Sequence, residues 1–354
     1  MIVSHIIIIK LLENITEITG LINFVEFSMN VKDRTFKNRF LFLLILSGSI
    51  LSPVYADVVK VTPLGSHSGE FCGRDRALVF EDPNGTRLLY DAGRTVAGAA
   101  DARLGKIDVV LVSHMHGDHV GNQHIKKLNA GNCGKPETSV NDLPHTNSVK
   151  IALAKKAKII TGSEMPKFFA SKLKQLGGNP KDSLLVRFGG SRKIGGVTIT
   201  TIPAVHSNGI ASGMVGGNLG ALLKESGLTA HAGPPTGYVL RFSNGLVVYL
   251  SGDTGLTAEQ KVVVGEHYKA KLVVMNIGDT YTTGPKEAAY VINELIKPYA
   301  VIASHANEAA TKNGKVISGT RTDTFVKSTN VPVHIPLSGK TMEFNRNAKC
   351  IKGC

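Results

Sequence analysis

From Val58 onward, short apolar runs alternate with breaks rich in Gly, Asn and Pro, the spacing expected of successive strands, turns and helices. Val58–Val61, Ala77–Phe80 and Leu88–Tyr90 read as short strands, the last two joined by the turn Asp82-Pro83-Asn84-Gly85. Ile107–Val112 is apolar throughout, which predicts a strand buried on both faces, and it runs straight into Ser113-His114. Pro166–Leu176 has helical periodicity and stops at Gly177-Gly178. Val197–Ile202 predicts a strand leading to His206. Tyr238–Phe242 and Leu246–Leu250 flank Ser243-Asn244-Gly245 and read as a hairpin. Leu272–Asn276 is a further buried strand. Pro285 opens a helix to about Ile296, because proline suits the first helical turn. Val301–Ala303 predicts a strand ending at His305, and a helix near Thr322–Lys327 with strands near Val333 and Met342 closes the chain.

Two stretches lack such a pattern. Residues 130–150 are polar, with Gly131, Gly134, Pro136 and Pro144, and read as a surface insertion; residues 209–236 are Gly-rich and read as a long loop. No internal repeat is visible. In each half strands give way to helices, with polar residues at the strand ends. This fits an α/β fold of two sheets packed between helices.

The pattern before Val58 is of another kind. Lys32, Arg34, Lys37 and Arg39 precede the apolar run Phe40–Leu46, and a small, polar stretch follows it to Val54-Tyr55-Ala56. These are the parts of a secretory signal peptide, with cleavage expected after Ala56. The run is too short to cross a bilayer, which takes about 20 residues. Met29 stands just before the basic segment, so residues 1–28 read as an extension upstream of the natural start, a genuine extension being the alternative. Residues 1–56 are thus expected to be extension and signal, and 57–354 the folded domain. Export to a periplasm or out of the cell follows, with no stable membrane insertion after cleavage.

Composition adds little to this and excludes little. The 354 residues are 42% hydrophobic, enough for a sizeable core, and carry a formal charge of +14. Lys and Arg are scattered without interleaved aromatics, so no nucleic-acid partner is expected. The four cysteines allow three pairings in an oxidising compartment. Cys72–Cys133 and Cys350–Cys354 are favoured, with free thiols as the alternative. None lies in a Cys-x-x-Cys pair of the metal-binding kind.

The chemistry is concentrated after the strand Ile107–Val112. His114-x-His116-x-Asp118-His119 places three imidazoles and a carboxylate within one short loop. Imidazole nitrogen and carboxylate oxygen are the donors zinc and similar divalent ions take. Gly117 is expected to allow the unusual backbone that such convergence needs. Three more candidates sit at strand ends: His206 in Ala204-Val205-His206-Ser207, Asp253 in Ser251-Gly252-Asp253-Thr254, and His305 in Ala303-Ser304-His305-Ala306. Each alone reads more readily as a structural residue. Together the seven are the right number for two metals that share one carboxylate.

In this set the chain resembles the metallo-β-lactamase superfamily, whose αββα sandwich is thereby implied for 57–354. The resemblance implies that His114, His116 and His206 hold one metal, that Asp118, His119 and His305 hold a second, and that Asp253 bridges them. Zinc is the first choice, with Mn, Fe or Ni also suited to a His/Asp site. The segment Ile277–Ala288, with Gly278-Asp279-Thr280-Tyr281, is similar to one in the metal-dependent hydrolases related to ascorbate-6-phosphate lactonase. The implied activity is hydrolysis of an ester-, lactone- or phosphodiester-type bond in a small molecule by a metal-bridging hydroxide, with Asp118 and Asp253 as the catalytic carboxylates. Asp118 is expected to orient that hydroxide or shuttle its proton. Asp91 and Ser113 are expected to orient the imidazoles.

His67, Glu70, Asn208, Asp279, Thr280 and Asn307 are candidates for shaping the pocket, each as readily an ordinary loop residue. His124, His145, His231, His267 and His334 read as bystanders. A lactonase acting on signal molecules is the nearest alternative. A β-lactamase is disfavoured by Asp253, which the zinc β-lactamases sharing this loop generally lack. An RNA-processing nuclease is disfavoured by export, and a metal-binding module without turnover by the completeness of the set. The oligomeric state, homo-oligomer included, is open.

Overall fold

The computed structural model describes residues 57–135 and 138–354. The expected signal segment therefore lies outside the described residues. Two mixed sheets face each other. The eight-stranded sheet runs, edge to edge, Cys350–Lys352, Met342–Phe344, Val59–Pro63, Leu78–Glu81, Arg87–Tyr90, Val109–Leu111, Lys158–Thr161 and Ser183–Leu185. The seven-stranded sheet runs Val333–His334, Ala300–Ser304, Leu272–Asn276, Val247–Leu250, Thr236–Arg241, Val197–Pro203 and Ser191–Ile194. Both sheets are mixed, with antiparallel pairs such as Thr236–Arg241 with Val247–Leu250 and parallel pairs such as Leu272–Asn276 with Ala300–Ser304.

Three apolar cores separate the layers. The central one lies between the sheets and takes Val61, Phe80, Leu88 and Val109 from the first and Ile199, Tyr238, Val248 and Leu272 from the second. Behind the first sheet, Val110, Ile159, Phe169 and Leu173 pack under helices Asn147–Lys155 and Met165–Gln175. Behind the second, Val273, Ile292, Val301 and Phe325 pack under Pro285–Ile296 and Arg321–Ser328. This is the expected αββα order. Alternation survives in the first strand, where Val59, Val61 and Pro63 are buried between half-exposed Lys60 and Thr62. It disappears in the central strands, such as Leu272–Asn276, which is buried at every position.

Both expected cysteine pairs are joined, Cys72 to Cys133 and Cys350 to Cys354. The hairpin at Ser243-Asn244-Gly245 forms as read, with Gly245 at φ 84°. Two readings need correction. The 130–150 stretch is a surface insertion only in its first half. Asp142 is buried, and Asn147 starts a helix that runs to Lys155. Its polar start is buried because it serves backbone: Thr146 accepts from Val149 N, and Asn147 Nδ2 donates to Val96 O at 2.9 Å. The 209–236 stretch is not one loop. Gly209–Ile210 pairs with Ala230–His231 around helices Ser212–Val215 and Gly217–Glu225. The second of these buries only Gly220 while Leu219 and Leu222 stay exposed, so no inward-facing apolar period marks it.

One side chain ties the two sheets together beside the site. Tyr238, wholly buried in the second sheet, points its hydroxyl at Val112 O (2.6 Å) and Ile160 O (3.0 Å) of the first. Tyr238→Phe leaves those carbonyls without that donor and is expected to lower stability by about 1–3 kcal/mol, with an unchanged denaturant slope, as read by urea unfolding. A loss under about 0.5 kcal/mol would show that the carbonyls are satisfied without it.

Candidate metal centre

All seven expected residues converge at one end of the sheets, each on a segment that leaves a strand, with Asp118 and His119 in the one-turn helix Gly117–Val120. Val109–Leu111 delivers the His114–His119 loop, Val197–Pro203 delivers His206, Val247–Leu250 delivers Asp253 and Ala300–Ser304 delivers His305. The donor atoms of His114, His116 and His206 lie within 4.8 Å of one another, as do those of Asp118, His119 and His305. Asp253 lies between the two groups. Its Oδ2 is 2.9 Å from His305 Nε2, 3.3 Å from His119 Nε2 and 3.8 Å from both His114 Nε2 and His206 Nε2.

Inside this cluster the nitrogens face one another rather than separate partners. His114 Nε2 is 3.0 Å from His116 Nδ1, which is 3.3 Å from His206 Nε2. His119 Nε2 and both ring nitrogens of His305 are buried without an aligned hydrogen bond, despite the nearby carboxylates. Buried polar atoms are rarely left so. Lone pairs that meet at common points, five imidazoles with two carboxylates, are the donor chemistry that divalent cations require. The residues fit the group.

Burial and mutual charge shape the protonation of the set. Burial pushes the carboxyls of Asp253 and Asp118 up, yet the neighbouring His119 and His305 charges hold both well below the usual range. His119 is also disfavoured as a cation by burial, but Asp253, Asp118 and Asp91 together raise it well above an ordinary histidine. His114, buried and next to His119, falls well below. Its Nε2 is thus kept as a neutral donor.

A second ring of residues orients the first. Asp91 follows the strand Arg87–Tyr90 at φ 42°, a left-handed conformation that an aspartate adopts only when its surroundings impose it. Its carboxylate accepts from Ser113 N (2.8 Å) and Ser113 Oγ (2.7 Å) and lies 2.7 Å from His119 Nδ1. This leaves His119 Nε2 to face Asp253 and Asp118. Both Asp91 and Ser113 thus stand where they were expected. His305 is likewise left-handed, at φ 53°. Gly117 is not at positive φ. A Cβ there would meet the side-chain ends of Asn122 and Arg94, which pack against it. The positive φ belongs to Gly93 (56°), whose backbone N–H donates to His119 O at 2.9 Å.

The remaining candidates divide. Asn208 pins the loop by accepting from Met115 N at 2.8 Å and donating to Gly233 O at 2.9 Å. Asn307 lines the cleft and accepts from Arg76. His67 and Glu70 are buried structural residues, bonded to Ser66 and to Thr311. Asp279 and Thr280 are exposed, and Tyr281 beside them lines the cleft instead. None of His124, His145, His231, His267 or His334 joins the centre; His334 groups with Cys350 and Cys354, whose sulfurs are bonded to each other. Sequence reasoning missed Arg74, Arg76 and Arg94, all in the cleft wall. Arg76 is buried and grips Asp118 Oδ2 through Nε (3.3 Å) and Nη2 (3.2 Å). The signal available was Cys72-Gly73-Arg74-Asp75-Arg76 and the arginine directly after Tyr90-Asp91-Ala92-Gly93.

Comparison with known proteins bears on the fold and the family. The Beta-lactamase superfamily domain matches residues 86–305. A UPF0173 metal-dependent hydrolase of Pelotomaculum thermopropionicum is 30% identical over 249 residues, covering 70% of this chain and 85% of its own length. One from Koribacter versatilis is 27% identical over 236 residues, covering 66% and 82%. Among solved structures, Igni18, described as a novel metallo hydrolase from the hyperthermophilic archaeon Ignicoccus hospitalis, shares the fold. Its TM-score is 0.54 at 21% sequence identity, over 81% of this chain and 99% of that one.

Removing the Asp91 carboxylate tests the orienting ring. Asp91→Asn is expected to weaken divalent-ion affinity by about 10- to 100-fold, measured by chelator competition, while far-ultraviolet circular dichroism stays native. Unchanged affinity would assign Asp91 to folding alone.

Proposed function

The chain belongs to the metallo-β-lactamase superfamily, among the metal-dependent hydrolases, and from that premise we propose an exported enzyme with two divalent ions, zinc first among them. It cleaves an ester-, lactone- or phosphodiester-type bond of a small molecule. The observation that carries the two-ion reading is Asp253 Oδ2, within 3.8 Å of four imidazole nitrogens from three separate segments. His114, His116 and His206 would hold one ion, Asp118, His119 and His305 the other, and Asp253 would belong to both.

When bound, such ions supply Lewis acidity and bring the pKa of water towards neutrality. The protein's own part is placement. Asp118, about a quarter exposed at its side chain, opens onto the cleft, and His119 and Arg76 keep it ionised. It is placed to orient an attacking water in the cleft. His116 and His206, also in the cleft wall, bound the other side of the reacting centre. The cleft measures about 530 Å³, the size of a small-molecule site rather than a polymer groove.

Export rests on the basic and apolar segments before Ala56 and is supported by the two disulfides, which persist in oxidising compartments. Among the described residues no helix is long and apolar enough to cross a membrane.

Elemental analysis of the purified protein is expected to find two metals per chain, with turnover confined to one class among phosphodiester, lactone, ester and β-lactam substrates. Asp253→Ala is expected to lose metal and to cut turnover at least a hundredfold. Full turnover with one metal would refute the two-ion reading. Export is checked separately: N-terminal sequencing of the exported form should begin at Asp57, and an intact leader on a protein kept inside the cell would refute it.

A further inference from the structure

The cleft wall holds more positive charge than the metal-binding set uses. Arg74, Arg76 and Arg94 all line it. Arg76 is committed: besides Asp118 it donates to Asn307 Oδ1 at 2.7 Å and to the carbonyls of Gly73 and Asp75. Its guanidinium has little left to offer a ligand.

Arg74 and Arg94 are in a different position. Both are half-buried. Arg94 Nε donates to Asn122 Oδ1 at 3.2 Å, and among the described residues no carboxylate lies within ion-pair distance of it. The Arg74 side chain makes neither a hydrogen bond nor an ion pair among those residues. The two are also close enough to feel each other. Burial draws the Arg94 guanidinium down, and although Asp118 works the other way, the Arg74 and Arg76 charges lower it further.

The carboxylates of the cleft, Asp118 and Asp253, are turned to the metal set. Two guanidinium forks facing a partly desolvated space without an anion are a costly arrangement, and they match the geometry of a phosphate or carboxylate. Resting on the hydrolase reading above, we propose that the substrate carries an oxyanion, phosphate or carboxylate, seated between Arg74 and Arg94 beside the metal centre. These two arginines are specificity residues. They fix one end of the substrate so that its scissile bond faces Asp118, and the chain's overall charge of +14 favours the approach of such a molecule.

The test is calorimetric titration of the metal-loaded protein with inorganic phosphate and, separately, with succinate, for the natural chain, Arg74→Gln, Arg94→Gln and the double variant. Metal content is measured on each sample. Saturable binding of one probe, weakened at least tenfold in each single variant at unchanged metal content, is the expected result. The probe that binds tells a phosphate from a carboxylate substrate. Equal affinity in the double variant places the anion on the metals and overturns the proposal. Two metals per chain with no saturable binding of either probe also overturns it, and leaves the hydrolase reading standing. Arginine-dependent binding in a protein that takes up no metal sustains the pocket and sinks the two-ion reading.

Discussion

Lone pairs aimed at one another inside a protein repel, and a cluster of five imidazoles and two carboxylates stays assembled only if cations lie among them or the scaffold forces it. In this chain the scaffold does much of the forcing. Asp253 and Asp118 are held ionised by His119, which they in turn keep protonated against the cost of burial. The same charges would compete with a cation, since a metal taking His119 Nε2 would have to displace a proton there.

Holding such a cluster requires backbone that would not choose its own conformation. Asp91 and His305 both sit at positive φ, each at a cost of about 1–3 kcal/mol. The compensation is local and specific. Asp91 satisfies Ser113 twice and His119 once. Thr236 N donates to Ser113 O at 2.8 Å, which fixes the first-sheet loop to a strand of the second. Asn208 fixes the same loop at Met115. The central core between the sheets packs behind these ties, and the four loops meet in front of it.

The layered fold and the metal set were legible in the sequence for the same reason. Buried central strands leave uninterrupted apolar runs, and the residues that end them, His114, His206, Asp253 and His305, stand out by chemistry against Val, Ile and Leu. Where the pattern failed, the physical signal was missing. Gly217–Glu225 buries only a glycine. Asn147–Lys155 begins with polar residues whose burial serves the backbone of Gly121 and Val96. Gly117 was rightly marked as special but for the wrong cause, because crowding by Asn122 cannot be read from its neighbours in sequence.

The arginines were illegible for a further reason. A histidine at a strand end is uncommon enough to notice, whereas Arg74, Arg76 and Arg94 are three among 41 basic residues and acquire meaning only through what surrounds them. Arg76 is defined by Asp118, 42 residues away, and by Asn307, 231 residues away. Arg74 is placed by a segment anchored at Cys72, itself tied to Cys133 across 61 residues. The seven ligating candidates all fall between residues 86 and 305, the stretch shared with the superfamily, while Arg74, Arg76 and the Cys72 anchor precede it. On the proposed reading, the metal donors and part of the anion seat thus reside in different segments of the chain. On that reading, substitution of Arg74 alters which anion is held and leaves the metal donors in place, whereas substitution of Arg76 also frees Asp118.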